Sequence, residues 1–442
     1  MTFEDLNLSK PLLGALSELG FTTPTTIQQK VFSVVMSGQD VCGIAQTGTG
    51  KTLAYLLPAL RQFQFTKERL PQLLIIVPTR ELVVQVVETA QQLNSQMGLS
   101  IVGVYGGVNM KPQVAEIQKG LDVLVATPGR LIDLLLNNTF KTKGIKRIVI
   151  DEIDEMLNLG FRTQLKNILD LLPQRRQNLL FSATLTQDVE QLMKAYFTNP
   201  VKVEAAPAGT PLENISQSGY LVPNFYTKVN LLKLLLSEDP EMNKVLVFVS
   251  TKQLADQLHE ELSMRFRDEV GVIHSNKSQN HRLATVRGFQ DGTYPILIAT
   301  DIIARGLDVA EVSHVINFDL PEQPENYIHR IGRTGRADKK GIAISFVTEA
   351  AKVELEAIEE LMNFRITFYD LPKHLEISEV LTYDEQPKVK MKNILVKPPK
   401  REAGGAAFHE KAAKNQKVNV RRNYEEEKRL KYGRPIKRSG KK

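Results

Sequence analysis

The sequence predicts an α/β protein made of two tandem parallel-sheet halves followed by a basic C-terminal tail. Three observations carry that expectation. Short, continuously apolar runs alternate with helix-compatible stretches between residues 41 and 347. Strands apolar on both faces belong to parallel sheets covered by helices on each side. A small-residue, proline-bearing stretch, Ala205-Ala206-Pro207-Ala208-Gly209-Thr210-Pro211, interrupts the alternation near its middle, as an interdomain linker would. Charge then divides the chain. Residues 385–442 carry 19 Lys+Arg and 6 Asp+Glu, a net of +13, whereas the whole chain nets +7, which leaves −6 on residues 1–384.

Composition sets the outer limits. A chain of 442 residues holds two or three domains with sizeable cores. The single cysteine, Cys42, excludes an intramolecular disulfide and a cysteine metal cluster, and it suits a reducing cytoplasm. Met1-Thr2-Phe3-Glu4-Asp5 lacks the basic and apolar regions of a signal peptide. No apolar run approaches the roughly 20 residues that span a bilayer. A cytoplasmic, monomeric protein that engages no membrane is expected.

In chain order, the first run, Val41-Cys42-Gly43-Ile44, leads into Ala45-Gln46-Thr47-Gly48-Thr49-Gly50-Lys51-Thr52, and a helix-compatible segment, Leu53-Ala54-Tyr55-Leu56-Leu57, follows. Strand, glycine-rich turn, then Lys-Thr at a helix start is the arrangement of a phosphate-binding loop. Glycines let consecutive backbone N–H groups turn inward on an anion, and the helix N-terminus adds partial positive charge. Lys51 would reach the β- and γ-phosphates of ATP, and the Thr52 hydroxyl would hold Mg²⁺. Ala45 stands where the general pattern has its first glycine.

Further runs follow, each with polar residues just beyond it. Leu73–Val77 precedes Pro78-Thr79-Arg80-Glu81-Leu82, Ile101–Tyr105 precedes Gly106-Gly107, and Val123–Ala126 precedes Thr127-Pro128-Gly129-Arg130. Arg147–Ile150 leads into Asp151-Glu152-Ile153-Asp154, and Leu179–Phe181 into Ser182-Ala183-Thr184. In such sheets ligands bind beyond the carboxyl ends of the strands. A carboxylate at a strand end, Asp151, can hold Mg²⁺, and its neighbour Glu152 can orient and deprotonate an attacking water.

These motifs, in this order, resemble those of a DEAD-box RNA helicase of bacterial type, in helicase superfamily two, over residues 1 to about 370. The resemblance includes an adenine-recognition stretch, Gly20-Phe21-Thr22-Thr23-Pro24-Thr25-Thr26-Ile27-Gln28, with Phe3 as its isolated upstream aromatic. It implies that Phe21 stacks on adenine and that Gln28 hydrogen-bonds its edge, a task suited to an amide that both donates and accepts. It implies RNA-backbone contacts from Thr79, Arg80, Gly107, Thr127, Gly129 and Arg130. Asp154, Ser182 and Thr184 would couple the nucleotide to the RNA side. The family name ends Glu-Ala-Asp, whereas this chain has Glu152-Ile153-Asp154. Ile153 supplies no chemistry, so hydrolysis is expected to survive and fine packing is what the change bears on.

A second series begins with Val245–Val249 before Ser250-Thr251 and continues with Pro295–Ala299 before Thr300-Asp301. His314–Phe318 and Ala343–Val347 are further runs, and no second Gly-Lys-Thr loop occurs. One ATP in a cleft between two similar halves is therefore expected. Across it, His329-Arg330-Ile331-Gly332-Arg333-Thr334-Gly335-Arg336 could aim guanidinium groups at the γ-phosphate. The resemblance makes Arg333 and Arg336 the arginine fingers, adds His329 to the catalytic set, and places Asp308 at the ribose. Thr251, Thr300 and the Gln279–Arg282 stretch resemble further RNA-contacting positions.

The expected organisation is a RecA-like ATP-binding domain over 1–205, a linker over 206–218, a RecA-like C-terminal domain over 219–371 and a mostly disordered basic extension over 372–442. The expected cofactors are ATP and Mg²⁺, and the expected partner is RNA, single-stranded or a short duplex, alone or in ribonucleoprotein complexes. A DNA translocase sharing the phosphate loop and arginine fingers, and an ATP-gated RNA clamp that holds without unwinding, remain open at this point.

Overall fold

The computed structural model describes residues 1–386 except 46–47, 67, 205–213, 302–311, 336–339 and 383–384. Among these residues are two seven-stranded parallel sheets. The first contains β1 (Val41–Ile44), β2 (Leu73–Ile76), β3 (Ile101–Val104), β4 (Val123–Ala126), β5 (Arg147–Ile150), β6 (Gln177–Ser182) and β7 (Val201–Glu204), in the order β3-β4-β2-β5-β6-β1-β7. The second contains β8 (Ile215–Leu221), β9 (Val245–Phe248), β10 (Val270–Ile273), β11 (Ile296–Ala299), β12 (His314–Asn317), β13 (Gly341–Val347) and β14 (Thr367–Tyr369), ordered β10-β11-β9-β12-β13-β8-β14. The central strands of the first sheet read as unbroken apolar runs because both of their faces are covered. Val41, Ile75, Val125, Val149 and Phe181 enter one core, while Cys42, Ile76, Leu124, Ile150 and Leu180 enter the other. In the second sheet Val245, Val247 and Ile298 line one face, and Leu246, Phe248 and Leu297 line the opposite one.

Four strands lack the signal that reveals the rest. β7 (Val-Lys-Val-Glu) and β14 (Thr-Phe-Tyr) are edge strands with exposed positions, β8 alternates buried with more exposed residues, and β10 is short and carries Gly271. Their pairing supplies what their sequences do not. The linker expectation of 206–218 is corrected accordingly, since Ile215–Ser218 belong to β8 and pair in parallel with Gly341–Ile344 of β13.

The extension expected over 372–442 as mostly disordered begins with a segment held to the fold. Residues 371–382 and 385–386 form a strap clipped to the helix Phe225–Glu238. Ser378 N–H donates to Thr227 Oγ1 at 3.0 Å, Asn224 Nδ2 to Ser378 O at 2.5 Å, and Asn230 Nδ2 to Glu376 O at 3.0 Å. Leu371 and Leu375 lie against the core beneath. Residues 387–442 and the linker positions 206–213 lie outside the described residues. Among the described residues no helix is long and apolar enough to cross a membrane.

Candidate functional site

Beyond β1 the chain turns into the helix Lys51–Arg61, whose N-cap Gly50 has φ +85°. A side chain there would be strained, and its Cβ would sit 2.4 Å from Gln28 Nε2. That contact exists because residues 25–28 brace the loop. Thr25 Oγ1 donates to Thr49 O at 2.8 Å, and Gln28 Nε2 donates to Gly50 O at 3.1 Å. Gln28 Oε1 accepts from Thr25 N–H at 2.9 Å, closing a capping box on the helix Thr26–Met36. Gln28 is thus buried, while Phe21 stays 47% exposed and open to a stacking partner. Phe3 is a core residue. The phosphate-loop positions Gln46 and Thr47 lie outside the described residues, as do Asp308 and Arg336.

Lys51 is buried, and its Nζ has no hydrogen-bond partner among the described residues. An ammonium in that condition is costly unless an anion joins it, so the loop fits a phosphate group. Its neighbouring charges are the buried Asp151 and Asp154. Burial pushes the Asp151 carboxyl up to about 6, with Lys51 opposing and Glu152 adding to the shift. Asp151 Oδ1 accepts from Glu152 N–H at 2.9 Å. Glu152 itself adopts φ +51°, a left-handed conformation rarely tolerated by a residue with a long side chain. Lys51 and Asp151–Glu152 therefore stand together, with the Thr52 hydroxyl next along the helix. That donor set fits a hydrated divalent cation held between a phosphate, a hydroxyl and a carboxylate.

Asp154 is the junction of three segments. Its Oδ2 accepts from Ala183 N–H at 3.1 Å, Thr184 N–H at 2.9 Å and Thr184 Oγ1 at 2.9 Å. Burial alone would raise its carboxyl, but His329, Lys51 and the Thr184 hydrogen bonds outweigh that and hold it below the ordinary range. Ser182 Oγ closes the turn by donating to Thr184 O at 2.6 Å. His329 arrives from the second half, with Nε2 4.0 Å from Asp154 Oδ2. Ile153, between the two acidic residues, is fully buried in the core shared by Ile44, Ile150 and Met156. Its larger side chain is accommodated by packing rather than exposed to the site.

His329 lies on the helix Pro324–Ile331, and the buried Arg333 follows four residues later. Arg330 between them is fully committed to the second half. It forms a bidentate pair with Asp301 at 2.6 and 2.7 Å, donates to Asp319 O at 2.6 Å, and lies over the Phe248 ring at 4.9 Å. Asp301 follows Thr300 directly, so Arg330 links a candidate RNA position to the helix that carries His329.

The remaining candidates cluster at helix N-termini. Thr79 and Thr251 cap the helices Arg80–Leu93 and Lys252–Phe266 by accepting from Leu82 and Leu254 N–H. Thr127 precedes the helix Pro128–Leu136, whose first turn holds Gly129 and Arg130. Such ends favour anions through exposed N–H groups and the helix dipole. Arg130 is braced beneath the neighbouring loop, donating to Gln113 Oε1 at 2.5 Å and Val108 O at 2.8 Å. Gly107 (φ +76°) admits the Arg80 guanidinium so closely that a Cβ would overlap it at 1.8 Å. Thr251 and Thr300 line a cavity of about 670 Å³ with Asn158 and Leu159 of the first half.

The halves also meet through charge. Arg282 pairs with Glu81 in a buried ion pair, Gln279 Nε2 donates to Glu81 Oε1 at 3.2 Å, and Arg80 Nη1 reaches Gln279 Oε1 at 3.4 Å. Arg80 and Arg282, expected on RNA, thus also bridge the halves. Glu81, Asp301 and Arg330 form charge pairs beside the candidate residues, and motif reading assigns them no role. Each adjoins a candidate residue in sequence, and no local signal distinguishes a bridging charge from a solvated one.

Comparison with known proteins follows the same division. A DEAD/DEAH box helicase profile matches residues 25–192, and a helicase conserved C-terminal domain profile matches residues 227–338. The DEAD-box ATP-dependent RNA helicase RhpA of Helicobacter pylori is 38% identical over 371 residues, which cover 84% of this chain and 74% of RhpA. CshA of Bacillus subtilis, of the same description, is 37% identical over 386 residues, covering 87% and 77%. Among solved structures, S. cerevisiae Dbp5 bound to RNA and ADP BeF3 superposes with a TM-score of 0.76 at 30% identity, covering 84% of this chain and 95% of that one.

Proposed function

The chain belongs to the DEAD-box ATP-dependent RNA helicases, and from that membership we propose how its residues divide the work. It is an RNA-stimulated ATPase that locally separates short duplexes or remodels ribonucleoprotein complexes. Lys51 and the backbone of residues 45–52 take the phosphates. Thr52 and Asp151 hold Mg²⁺, which when bound neutralises charge on the transferring phosphoryl group. Glu152 orients and deprotonates the attacking water. Arg333 and, by resemblance, Arg336 stabilise the charge that spreads in the transition state. His329 keeps Asp154, and with it Thr184, in register, and Asp308 is assigned to the ribose by resemblance.

Gln28 can serve adenine without leaving the loop. An amide has two N–H donors and two acceptor sites. Gly50 O and Thr25 N–H occupy one of each, leaving one donor and one acceptor for the base edge, with Phe21 as the stacking face. On the other side, the helix N-termini at Thr79, Thr127 and Thr251, together with Gly107, Gly129, Arg80, Arg130, Arg282 and Thr300, form the RNA-backbone surface. Closure of the halves assembles both sites at once, so ATP and RNA binding should reinforce one another. We assign the work to the cytoplasm, since the single buried Cys42 suits a reducing compartment.

The observation that carries this reading is the junction at Asp154. One carboxylate there is tied to Thr184 and approached by His329 of the other half, beside the Lys51 ammonium, which has no hydrogen-bond partner among the described residues. The test is Glu152→Gln, which should keep ATP and RNA binding while RNA-stimulated turnover falls by roughly 10²–10⁴-fold. Turnover near the parent level would remove Glu152 from the role of base. Equal stimulation of the parent by DNA would favour a translocase over an RNA helicase.

A further inference from the structure

Asp319 lies outside every motif, yet it joins two of the turns assigned to RNA. It stands just past the carboxyl end of β12, beside that of β9. The two strands run in parallel with Asn317 next to Phe248, and Asp319 N–H extends the ladder by donating to Phe248 O at 3.3 Å. That pairing sets its side chain against the turn Ser250-Thr251, which leads from β9 into the helix Lys252–Phe266. Its two carboxylate oxygens serve different partners. Oδ2 accepts from Ser250 N–H and Ser250 Oγ, both at 3.0 Å, while Oδ1 accepts from Lys228 Nζ at 2.8 Å. The main-chain oxygen of Asp319 accepts from Arg330, whose guanidinium holds Asp301 next to Thr300. One residue therefore fixes the turns that carry Thr251 and Thr300, and both turns line the same cavity.

Neutralising the buried Lys228 ammonium takes one carboxylate oxygen, and Phe318 O accepts another of its protons. The second oxygen goes to an exposed serine, whose donors water would serve about as well. What those two bonds secure is orientation. Thr251 is an N-cap, so the turn before it decides where the free N–H groups of the helix point. A phosphate contact at that helix end relies on these groups. We propose that Asp319 is a positioning residue of the RNA-backbone surface, holding the Ser250-Thr251 turn fixed relative to the Thr300-Asp301 turn before RNA arrives. The proposal rests on the assignment of Thr251 and Thr300 to RNA. Asp319 itself touches no substrate. A turn already fixed loses less conformational freedom on binding, and the difference appears as affinity.

The role requires a carboxylate because its two oxygens face different partners. In Asp319→Asn the amide keeps one acceptor oxygen and presents an NH₂ group to the other partner. The experiment compares the parent chain with Asp319→Asn and with Ser250→Ala, which leaves the Lys228 pair intact and decides the matter if Asp319→Asn fails to fold. ATPase is measured across an RNA titration, alongside thermal unfolding. The RNA concentration for half-maximal stimulation should rise roughly threefold in Ser250→Ala and roughly tenfold in Asp319→Asn, the range of one net hydrogen bond. Turnover per folded molecule at saturating RNA should persist. A role confined to stability lowers Tm and the active fraction without moving that concentration. Parent-like RNA dependence in the folded variants would overturn the proposal and leave Asp319 as the partner of Lys228 alone. Thr251→Ala is the control and should by itself raise the RNA concentration required. Combined with Asp319→Asn, its effect should be less than multiplicative, since one change removes the group that the other displaces. Full multiplication would show that Asp319 acts elsewhere and overturn the proposal. If Thr251→Ala keeps the parent titration, the RNA assignment itself fails, and the Asp319 proposal with it.

Discussion

At the scale of single residues, the second half depends on a buried charge pair whose sign with pH can be worked out. Lys228 Nζ lies 2.8 Å from Asp319 Oδ1 and also donates to Phe318 O at 2.7 Å. Burial pushes the Asp319 carboxyl up, but the Lys228 charge and hydrogen bond, with Ser250 N–H and Oγ, outweigh it and leave it below its ordinary value. A carboxylate depressed by folding adds stability above its unfolded pKa of about 3.9, and that stability disappears as pH falls through the folded value. Removing the cation reverses the sign, because Asp319 then keeps the burial without the partner. Lys228→Met should cost about 3–5 kcal/mol at pH 7. On acidification toward pH 4 the deficit relative to the parent should shrink. Urea denaturation at several pH values checks this, and a deficit independent of pH would show that Lys228 contributes only packing.

At the scale of elements, the strap that begins at Leu371 makes a separate prediction. Glu385 Oε1 accepts from Phe225 N–H at 2.7 Å, at the first residue of the helix Phe225–Glu238. Its Oε2 accepts from Thr382 N–H and Oγ1 at 2.9 and 3.0 Å. A carboxylate there satisfies a free helix donor and complements the dipole. Glu385→Ala should cost about 1 kcal/mol, and Glu385→Gln less, since the amide keeps an acceptor. Truncation after Leu371 should cost more than either, because Ser378, Glu376 and Leu375 leave with the strap. Equal stability of chains ending at 371 and 386, measured by thermal unfolding, would show the strap to be a passive passenger.

At the scale of the whole molecule, charge decides what the tail does. With +13 on residues 385–442 against −6 on the rest, long-range attraction for RNA should reside in the tail. The strap fixes where to cut, since removing residues 387–442 spares Glu385 and its cap. Each phosphate neutralised on a single strand contributes about −0.7 to the slope of log K against log salt. If four to six tail cations engage together, deletion should flatten that slope by roughly 3–4 units. ATPase at saturating RNA should persist, while the RNA concentration for half-maximal stimulation rises, because a tether raises local concentration without altering the closed state. Identical salt slopes with and without residues 387–442 would exclude the tail from RNA binding.

What the sequence determined alone was whatever depends on local order. Continuous apolar runs such as Leu73–Ile76 and Val123–Ala126 announced buried parallel strands, because no other environment covers both faces of a strand. The Gly48–Thr52 turn and the Asp151-Glu152 pair announced nucleotide chemistry, because phosphate and cation demand those groups after strand ends. The edge strands Val201–Glu204 and Thr367–Tyr369 were illegible, since half-exposed positions carry little periodic signal and pairing alone stabilises them. So was the strap, whose polar residues look solvated until Asn224, Thr227 and Phe225 are placed beside them. Pairing of charges across the fold was decided only in three dimensions. Glu81 with Arg282 joins residues 201 positions apart, and Arg330 with Asp301 joins residues 29 apart. Ion pairs and buried charges such as the Lys51 ammonium are properties of distance and burial, and sequence order encodes neither until the chain has folded.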